Sequence, residues 1–361
     1  MELSRRAYLA AGVATATAGL IAATPVTPPP AESQQRAIQL AAGEEDIVLD
    51  LVRHGSDGPV SYLSTIGSYL PGYPLNATGE EQADAVAKVL EQGAPYAGIY
   101  AGENLRMIQT AQPLADALNM NITQLPGLDE IAGGIYNGDP SASPGGILYD
   151  LTLAAWVFGL DSVPMGGSFD LNGVSFDEGF SNAVASIYDS TVSSGGSTTD
   201  VAFSGEAAIS TWSLMNANNP DLAIFLPLFA EDLVYGKDFL PNTGVVVLSG
   251  DPTEGWSLVS FDGQAIPRDP GLLTQLVVDV RDLITPPQIA AYNVTEALFT
   301  GDPTAVGTAL EEGLQNIGAA TVQFPISVIG DTASAVQNLV TDVAAGEAFN
   351  VAFDALFLGI V

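Results

Sequence analysis

One stretch constrains the fold of this chain more than any other, the run from Ile47 to Gly55. Its first six residues, IVLDLV, are mostly apolar, which is typical of a strand buried in a parallel sheet. The run ends in Arg53-His54-Gly55, and His54 is the only histidine among 361 residues. Open α/β sheets place their ligands at the carboxyl ends of such strands. We therefore expect a functional site at His54.

The following residues, up to about 263, alternate between strand and helix patterns, which predicts an α/β fold. Further strands are predicted at 98–101, 121–125 and 201–204, with a closing hairpin at 245–259, and helices at 75–90, 104–118 and 205–218. In the first helix, Thr78 is expected to be the N-cap, with Glu81 completing a capping box.

Two further segments lie within or beyond this pattern. Residues 139–199 are rich in Gly, Ser, Pro and Asp and contain one apolar segment, 147–160, so they form either a cap over the site or a surface excursion. Residues 265–361 show four helical patterns, at 272–283, 289–299, 304–317 and 332–345, separated by Gly and Pro. This C-terminal helical extension has few charges, so we expect it to bury much of its surface against the rest of the chain or a partner.

Residues 1–45 resemble a targeting signal followed by a linker. Arg5 and Arg6 precede an apolar run at 7–23 and a proline-rich stretch at 24–30, as in twin-arginine export signals. The pattern predicts an exported protein that is secreted or held in the cell envelope. The alternative is an uncleaved anchor, although the apolar run is shorter than the roughly 20 residues of a membrane span.

Composition excludes several classes of partner. There are 42 acidic and nine basic residues, giving a net charge of −33, which repels nucleic acid and anionic lipid headgroups. The absence of cysteine excludes disulfides and thiolate metal sites, and a single histidine cannot form a histidine-rich zinc site. No regular ligand spacing for calcium or magnesium is visible, so we expect no metal and no cofactor.

Four motifs resemble, in the same order, segments of the histidine phosphatase superfamily, the phosphoglycerate-mutase-like proteins. They are Arg53-His54-Gly55, the segment LNATGEEQA at 75–83, NLRMIQTA at 104–111 with Arg106, and LDEI at 128–131 with Glu130. The resemblance covers residues 46 to about 264 and implies a three-layer sandwich with a mostly parallel central sheet. It implies that His54 accepts the phosphoryl group, that Arg53 and Arg106 bind phosphate, and that Glu130 protonates the departing oxygen.

Three positions depart from the family pattern. Ser204 stands at the end of the predicted strand 201–204, where the family has its second histidine. Ser204 can donate one hydrogen bond but carries no charge, so we expect a loss on the order of 10²–10³ in rate. Asp57 replaces an arginine of the acid-phosphatase branch and would repel phosphate, and Gly102 replaces the usual serine ahead of the Arg106 motif.

Two hypotheses follow from this pattern. The first is an exported phosphomonoesterase of weakened activity that acts on a small phosphorylated substrate through a phosphohistidine. His54 and Glu130 would be catalytic, and Arg53, Arg106 and Ser204 would bind phosphate. The alternative is a catalytically silent binding or scaffold module of the cell envelope that contacts partners through its C-terminal extension. A mutase is disfavoured, because returning a phosphoryl group to a second position requires tight control of the phosphohistidine.

Overall fold

The fold is built around one seven-stranded sheet. A computed structural model describes residues 46–59 and 65–345, and the predicted export signal and linker at 1–45 lie outside the described residues. The strands are β1 (Ile47–Arg53), β2 (Ile99–Ala101), β3 (Ile122–Gln124), β4 (Thr199–Ser204), β5 (Val245–Asp251), β6 (Gly255–Phe261) and β7 (Gln264–Ala265). The predicted strands are all present, and the short β7 was not predicted.

The strand order is β3-β2-β4-β1-β5-β6-β7. The first four strands in this order run parallel, and β5, β6 and β7 extend the sheet in antiparallel fashion. In the β1–β4 pair, Arg53 lies opposite Ser204. The carboxyl ends of the two central parallel strands therefore meet at one edge of the sheet, where His54 follows β1.

Eight α-helices and three short 3₁₀ turns connect and extend the sheet among the described residues. The helices are α1 (Ala77–Leu90), α2 (Leu105–Leu118), α3 (Pro144–Val157), α4 (Gly173–Ser194), α5 (Glu206–Asn216), α6 (Leu222–Tyr235), α7 (Leu272–Thr300) and α8 (Pro303–Ala345). The 3₁₀ turns are Glu91–Gly93, Pro126–Leu128 and Gly134–Tyr136.

Helices cover both faces of the sheet because successive strand side chains point to opposite sides. On one face Val52 belongs to an apolar cluster with Met107 and Leu114 of α2, to which α1 also contributes. On the other face Leu49 and Leu51 belong to a cluster that includes side chains of α4 and α5. This arrangement confirms the predicted three-layer α/β sandwich with a parallel centre and a C-terminal helical extension.

The N-cap of α1 is Asn76, so the prediction of Thr78 is wrong. The side chain of Asn76 accepts a hydrogen bond from the backbone N–H of Gly79 at 3.0 Å and donates to the hydroxyl of Ser56 at 2.9 Å. Asparagine caps helices at least as well as threonine. The hydrogen bond to Ser56 explains why the helix begins at Asn76, because it also joins the helix to the loop that follows His54.

The segment 139–199 contains two helices where the sequence suggested one apolar segment. Helix α3 matches the apolar run, whereas α4 was not predicted because Gly, Ser and Asp dominate its sequence. Its buried residues Phe180, Val184 and Ile187 recur at helical spacing and join the main apolar cluster. Tertiary burial of this stripe therefore determines the helix despite its weak propensity.

The C-terminal extension forms two long helices instead of the four that its Gly and Pro residues suggested. Helix α7 continues through Pro286 and Pro287, and α8 continues through Pro325. Arg281 of α7 donates to the carbonyls of Leu214 and Ala217 at 3.0 and 3.2 Å, which joins the extension to the end of α5. Packing thus outweighs the hydrogen bonds that the prolines remove.

The extension leaves much of its apolar surface exposed within this chain, so the expected burial is not complete without a partner. The large exposed apolar residues of α8 are Leu310, Leu314, Val322, Ile326, Ile329, Val336 and Val340. Contact of this surface with a partner stays a prediction. No helix in the described part of the chain combines the length and apolar character needed to cross a membrane.

Candidate active site

His54 lies directly after β1, and only 6% of its surface is exposed. Its backbone N–H donates to the carbonyl of Ser204 at 3.0 Å, and Asn242 donates to its carbonyl at 3.1 Å, so the main chain is held on both sides. The ring atom Nδ1 lies 2.8 Å from the carbonyl oxygen of Gly55. A carbonyl only accepts, so Nδ1 carries the hydrogen and Nε2 keeps the lone pair.

The electrostatic surroundings keep this imidazole neutral. Burial lowers the pKa of His54 well below its usual value, and the positive charges of Arg106 and Arg53 lower it further. An unprotonated imidazole is what nucleophilic attack on phosphorus requires. The single histidine is therefore available as a nucleophile at neutral and mildly acidic pH.

The glycine after His54 is required by a close approach of two main-chain segments. A Cβ on Gly55 would lie 2.7 Å from the carbonyl oxygen of Gly79, and one on Gly79 would lie 1.9 Å from that of Ser56. The N–H of Gly55 donates to the hydroxyl of Thr110 at 2.9 Å. The first turn of α1 is thus pressed against the loop that shapes the site.

Arg53 lies beside His54 and is engaged by two carboxylates. Its Nη1 lies 2.8 Å from Glu206 and 3.1 Å from Asp238, and it also donates to the carbonyl of Leu240. Only 7% of Arg53 is exposed. The guanidinium that would bind phosphate is therefore already neutralised by the protein, since two acidic groups share it.

Arg106 lies in the first turn of α2 and is also paired. Its Nη1 lies 3.4 Å from Asp57, and its Nη2 donates to the carbonyl of Gly67 at 2.6 Å. The N-terminus of α2 is positioned by Asp129, which accepts from the backbone N–H of Glu103 at 2.7 Å. The sequence suggested that Asp57 would repel phosphate. Asp57 also pairs with Arg106, the arginine that would attract phosphate.

Glu130 reaches the N-terminus of α5. Its Oε1 accepts from the backbone N–H groups of Ile131 and Ala208, both at 3.0 Å. A Cβ on Gly205 would lie 1.8 Å from Oε2, so only glycine allows this approach. Burial raises the pKa of Glu130, against the opposing effect of Arg106 and the two N–H groups. Oε2 is the oxygen that can carry a proton.

Ser204 is fully buried, and its hydroxyl donates to the carbonyl of Leu128 at 2.6 Å. Binding of phosphate by Ser204 stays a prediction, and it would require this hydrogen bond to break. The other departure, Gly102, has a steric cause. A Cβ at this position would lie 2.6 Å from the sulfur of Met107 and 2.7 Å from a carboxylate oxygen of Asp129.

A cavity of about 1120 Å³ brings four of the five predicted site residues together. Arg53, His54, Arg106 and Glu130 line it, whereas Ser204 does not contribute to the wall that the described residues form. No group of three or more acidic or histidine side chains suited to a metal ion occurs among the described residues. The expected absence of a metal stays a prediction.

Sequence reasoning missed the carboxylates that hold Arg53. Glu206 follows Ser204 by two residues, and Asp238 comes from the loop after α6. Asp150 and Asp232 also line the cavity, and burial raises the pKa of each to about 7. The excess of acidic residues indicates that an arginine will pair with a carboxylate, but no sequence pattern assigns a particular carboxylate to Arg53.

The comparison of sequences with known families agrees with this geometry. Residues 49–168 match the family model of the histidine phosphatase superfamily (branch 1). Over this segment the chain is similar to that superfamily. The matched segment contains Arg53, His54, Arg106 and Glu130, and Ser204 lies beyond it.

A curated relative has a similar sequence over most of this chain. PE-PGRS family protein PE_PGRS11 of Mycobacterium tuberculosis (strain ATCC 25618 / H37Rv) is 44% identical over 299 residues, which is 81% of this chain and 49% of that protein. The chain therefore spans about half the length of this curated relative.

Solved structures of phosphatases resemble the described fold. A mycobacterial glucosyl-3-phosphoglycerate phosphatase is 21% identical with a TM-score of 0.44, covering 62% of this chain and 100% of that chain. A phosphoserine phosphatase from Entamoeba histolytica, in complex with 3-phosphoglyceric acid, is 23% identical with a TM-score of 0.43, covering 59% of this chain and 95% of that chain.

Proposed function

We propose that the protein is a phosphomonoesterase that hydrolyses a small phosphorylated substrate through a phosphohistidine at His54. The observation that carries the proposal is the buried, neutral imidazole whose Nδ1 is fixed by the Gly55 carbonyl. It shares one cavity with Arg106 and Glu130. Together these groups supply the nucleophile, a cation for the phosphate oxygens and an acid.

The reaction would proceed in two balanced steps. Nε2 of His54 attacks phosphorus while the bond from phosphorus to the leaving oxygen breaks, and that oxygen takes the proton from Oε2 of Glu130. A water molecule then attacks the phosphohistidine, the N–P bond breaks, and Glu130 takes the proton from the water. The raised pKa of Glu130 supports its protonated form in the first step.

Weakened activity follows from the paired arginines. Arg53 is held by Glu206 and Asp238, and Arg106 by Asp57, so a phosphate must compete with carboxylates for both cations. The position of the family's second histidine holds a serine that is hydrogen-bonded to Leu128. Each missing donor costs on the order of 10²–10³ in rate.

Turnover of a generic aryl phosphate tests the proposal. His54→Ala should lower turnover by on the order of 10³ or more, because it removes the nucleophile. Arg106→Ala should lower it by on the order of 10²–10³. Arg268→Ala is the matched control, since Arg268 is exposed and lies outside the cavity wall. Equal loss in Arg268→Ala, or none in His54→Ala, would contradict the mechanism.

The same contacts favour a second candidate, a catalytically silent binding module. If the carboxylates keep both arginines permanently, the cavity would bind neither inorganic phosphate nor vanadate and the chain would serve as an envelope scaffold. Calorimetric titration with vanadate separates the two. Binding with turnover supports the enzyme, and a protein that neither binds vanadate nor turns over phosphate supports the scaffold.

We also propose that the protein is exported, to be secreted or to remain in the cell envelope through its extension or an uncleaved signal. The support is the arginine pair Arg5 and Arg6 ahead of an apolar run. Replacing both with lysine should keep the protein inside the cell. Normal export of that variant would show that the pair is incidental.

A further inference from the structure

The cavity is larger than a phosphate group and a small alcohol require. Ligand cavities typically measure roughly 300–1,000 Å³, and this one measures about 1120 Å³. His54, Arg106 and Glu130 account for one end of it. Loop residues within 56–59, 65–76, 137–141 and 236–242 form another part of the wall, and helices α3, α5 and α6 form most of the rest, with the first turns of α7 at the far end.

Each of the three helices presents one face along the length of the cavity. On α5, Glu206, Ser210 and Leu214 line the wall, and they span roughly 12 Å at 1.5 Å per residue. On α3, Tyr149 and Val157 mark a stretch of roughly the same length. The cavity therefore extends roughly 12 Å along α5, and this part of the cavity is the channel.

The end of the channel near His54 is polar. Glu206 is paired with Arg53, and Asp150 and Asp232 also line the cavity here, where the charge of Asp150 raises the pKa of Asp232. Tyr149 also lies at this end, since its hydroxyl approaches the carbonyl of Ile131, the neighbour of Glu130. A group attached directly to the phosphate thus meets carboxyl and hydroxyl groups, which suits a linker with hydroxyls.

The far end of the channel is apolar. It is lined by Leu214, Leu222 and Phe225, each of which is less than 9% exposed. Arg281 of α7 lines this end too, but its guanidinium donates to the carbonyls of Leu214 and Ala217 and so is occupied. The polar reaction centre and the apolar wall lie in one cavity, which suits a ligand with a polar group at one end and an apolar group at the other.

We propose that the substrate is an amphiphilic phosphomonoester, with its phosphate at His54 and a linear apolar tail along α5 towards α7. This inference rests on the proposed function for the placement of the phosphate. The tail gains affinity through burial in the apolar half of the channel, by roughly fourfold for each methylene group. Affinity and kcat/KM should therefore rise with chain length.

The experiment compares methyl, butyl and octyl phosphate, each kept below its critical micelle concentration. Calorimetry measures binding and phosphate release measures turnover. From butyl to octyl we expect at least a tenfold gain in affinity, against an upper limit on the order of 10² for full burial of four methylenes. The same gain should appear in kcat/KM.

Ala154→Phe and Ala155→Phe form the matched pair of variants. Ala154 of α3 lines the channel, whereas its neighbour Ala155 does not. A phenyl ring at residue 154 should block the tail, so the affinity for octyl phosphate should fall at least tenfold and its advantage over butyl phosphate should be lost. Methyl phosphate should bind as before. Ala155→Phe should keep the advantage.

The outcomes separate this inference from the proposed function. Turnover of all three phosphates with no effect of chain length would overturn the amphiphile and leave the phosphomonoesterase. A chain-length effect on binding that Ala154→Phe removes, without any turnover, would support the channel and overturn the enzyme. A chain-length effect that Ala154→Phe leaves intact would place the tail elsewhere and overturn the inference.

Discussion

The carboxylate of Glu206 lies 2.8 Å from the guanidinium of Arg53, directly beside the single histidine of the chain. Burial raises the pKa of Glu206 to about 7, with the charge of Arg53 opposing and that of Asp238 adding to the shift. The ion pair therefore weakens as the pH falls through about 7, when Glu206 takes up a proton. At that point Asp238 is the remaining carboxylate that competes with a phosphate for Arg53.

The ion pair between Glu206 and Arg53 predicts that phosphate binding and turnover are stronger at mildly acidic pH. Phosphate affinity and kcat/KM for an aryl phosphate should rise from pH 8 to pH 6, while His54 stays neutral because its pKa is lowered. Glu206→Gln should flatten the profile, since the amide carries no charge at any of these pH values. The substrate's own ionisation is the same for both proteins, so a profile equally steep in Glu206→Gln would contradict the role of the pair.

Ser204→Ala tests whether the serine acts in phosphate binding. Because the hydroxyl donates to Leu128 at 2.6 Å, we expect the variant to lose about 1–2 kcal/mol of unfolding free energy. Vanadate affinity should stay the same. Denaturant unfolding and vanadate titration measure the two effects separately, and a fall in affinity with unchanged stability would assign Ser204 to the phosphate.

Gly79→Ala tests the close approach of α1 to the loop after His54. A Cβ at residue 79 would lie 1.9 Å from the carbonyl oxygen of Ser56, so we expect a loss of about 1–3 kcal/mol and lower turnover. Gly318→Ala in α8 is the control, because nothing lies within 4 Å of its Cβ. That change should stabilise by up to about 1 kcal/mol, since alanine is the better helix former. Similar stabilisation by both variants would disprove the steric constraint.

Thermal stability should rise as the pH falls from 8 towards 5. Burial raises the pKa of Asp150 and Asp232 to about 7 and that of Asp200 to about 6. Between the unfolded and folded pKa values the folded protein holds more protons than the unfolded chain, so the stability is present at low pH and is lost as pH rises through the folded pKa. Calorimetric Tm values measure this, and Asp232→Asn should reduce the slope. A Tm that falls from pH 8 to pH 6 would contradict the shifts.

The sequence predicts the sheet and its two flanking layers because local patterns carry them. The apolar run of β1, the strand at 201–204 and the helix with Arg106 all occur where they were expected. Helix α4 was missed, since its core stripe of Phe180, Val184 and Ile187 lies among weak helix formers. Prolines 286, 287 and 325 suggested breaks that packing of α7 and α8 overrides.

The candidate site also has one part that local sequence patterns predict and one part that depends on the tertiary fold. The motifs locate His54, Arg53, Arg106 and Glu130, and the fold brings them to one cavity. The pairing of Arg53 with Glu206 and Asp238 joins residues more than 150 positions apart, so it depends on the tertiary fold and is invisible to local patterns. The hydrogen bond of Ser204 to Leu128 is of the same kind.

The central claim, that His54 accepts a phosphoryl group, is tested most directly by trapping the intermediate. The protein is mixed with an aryl phosphate labelled on phosphorus, quenched within milliseconds under alkaline conditions, digested and analysed by mass spectrometry. We predict an acid-labile phosphoryl group on the peptide that contains His54, and none in His54→Ala. Turnover that proceeds without label on that peptide, or at the same rate in His54→Ala, would contradict the account.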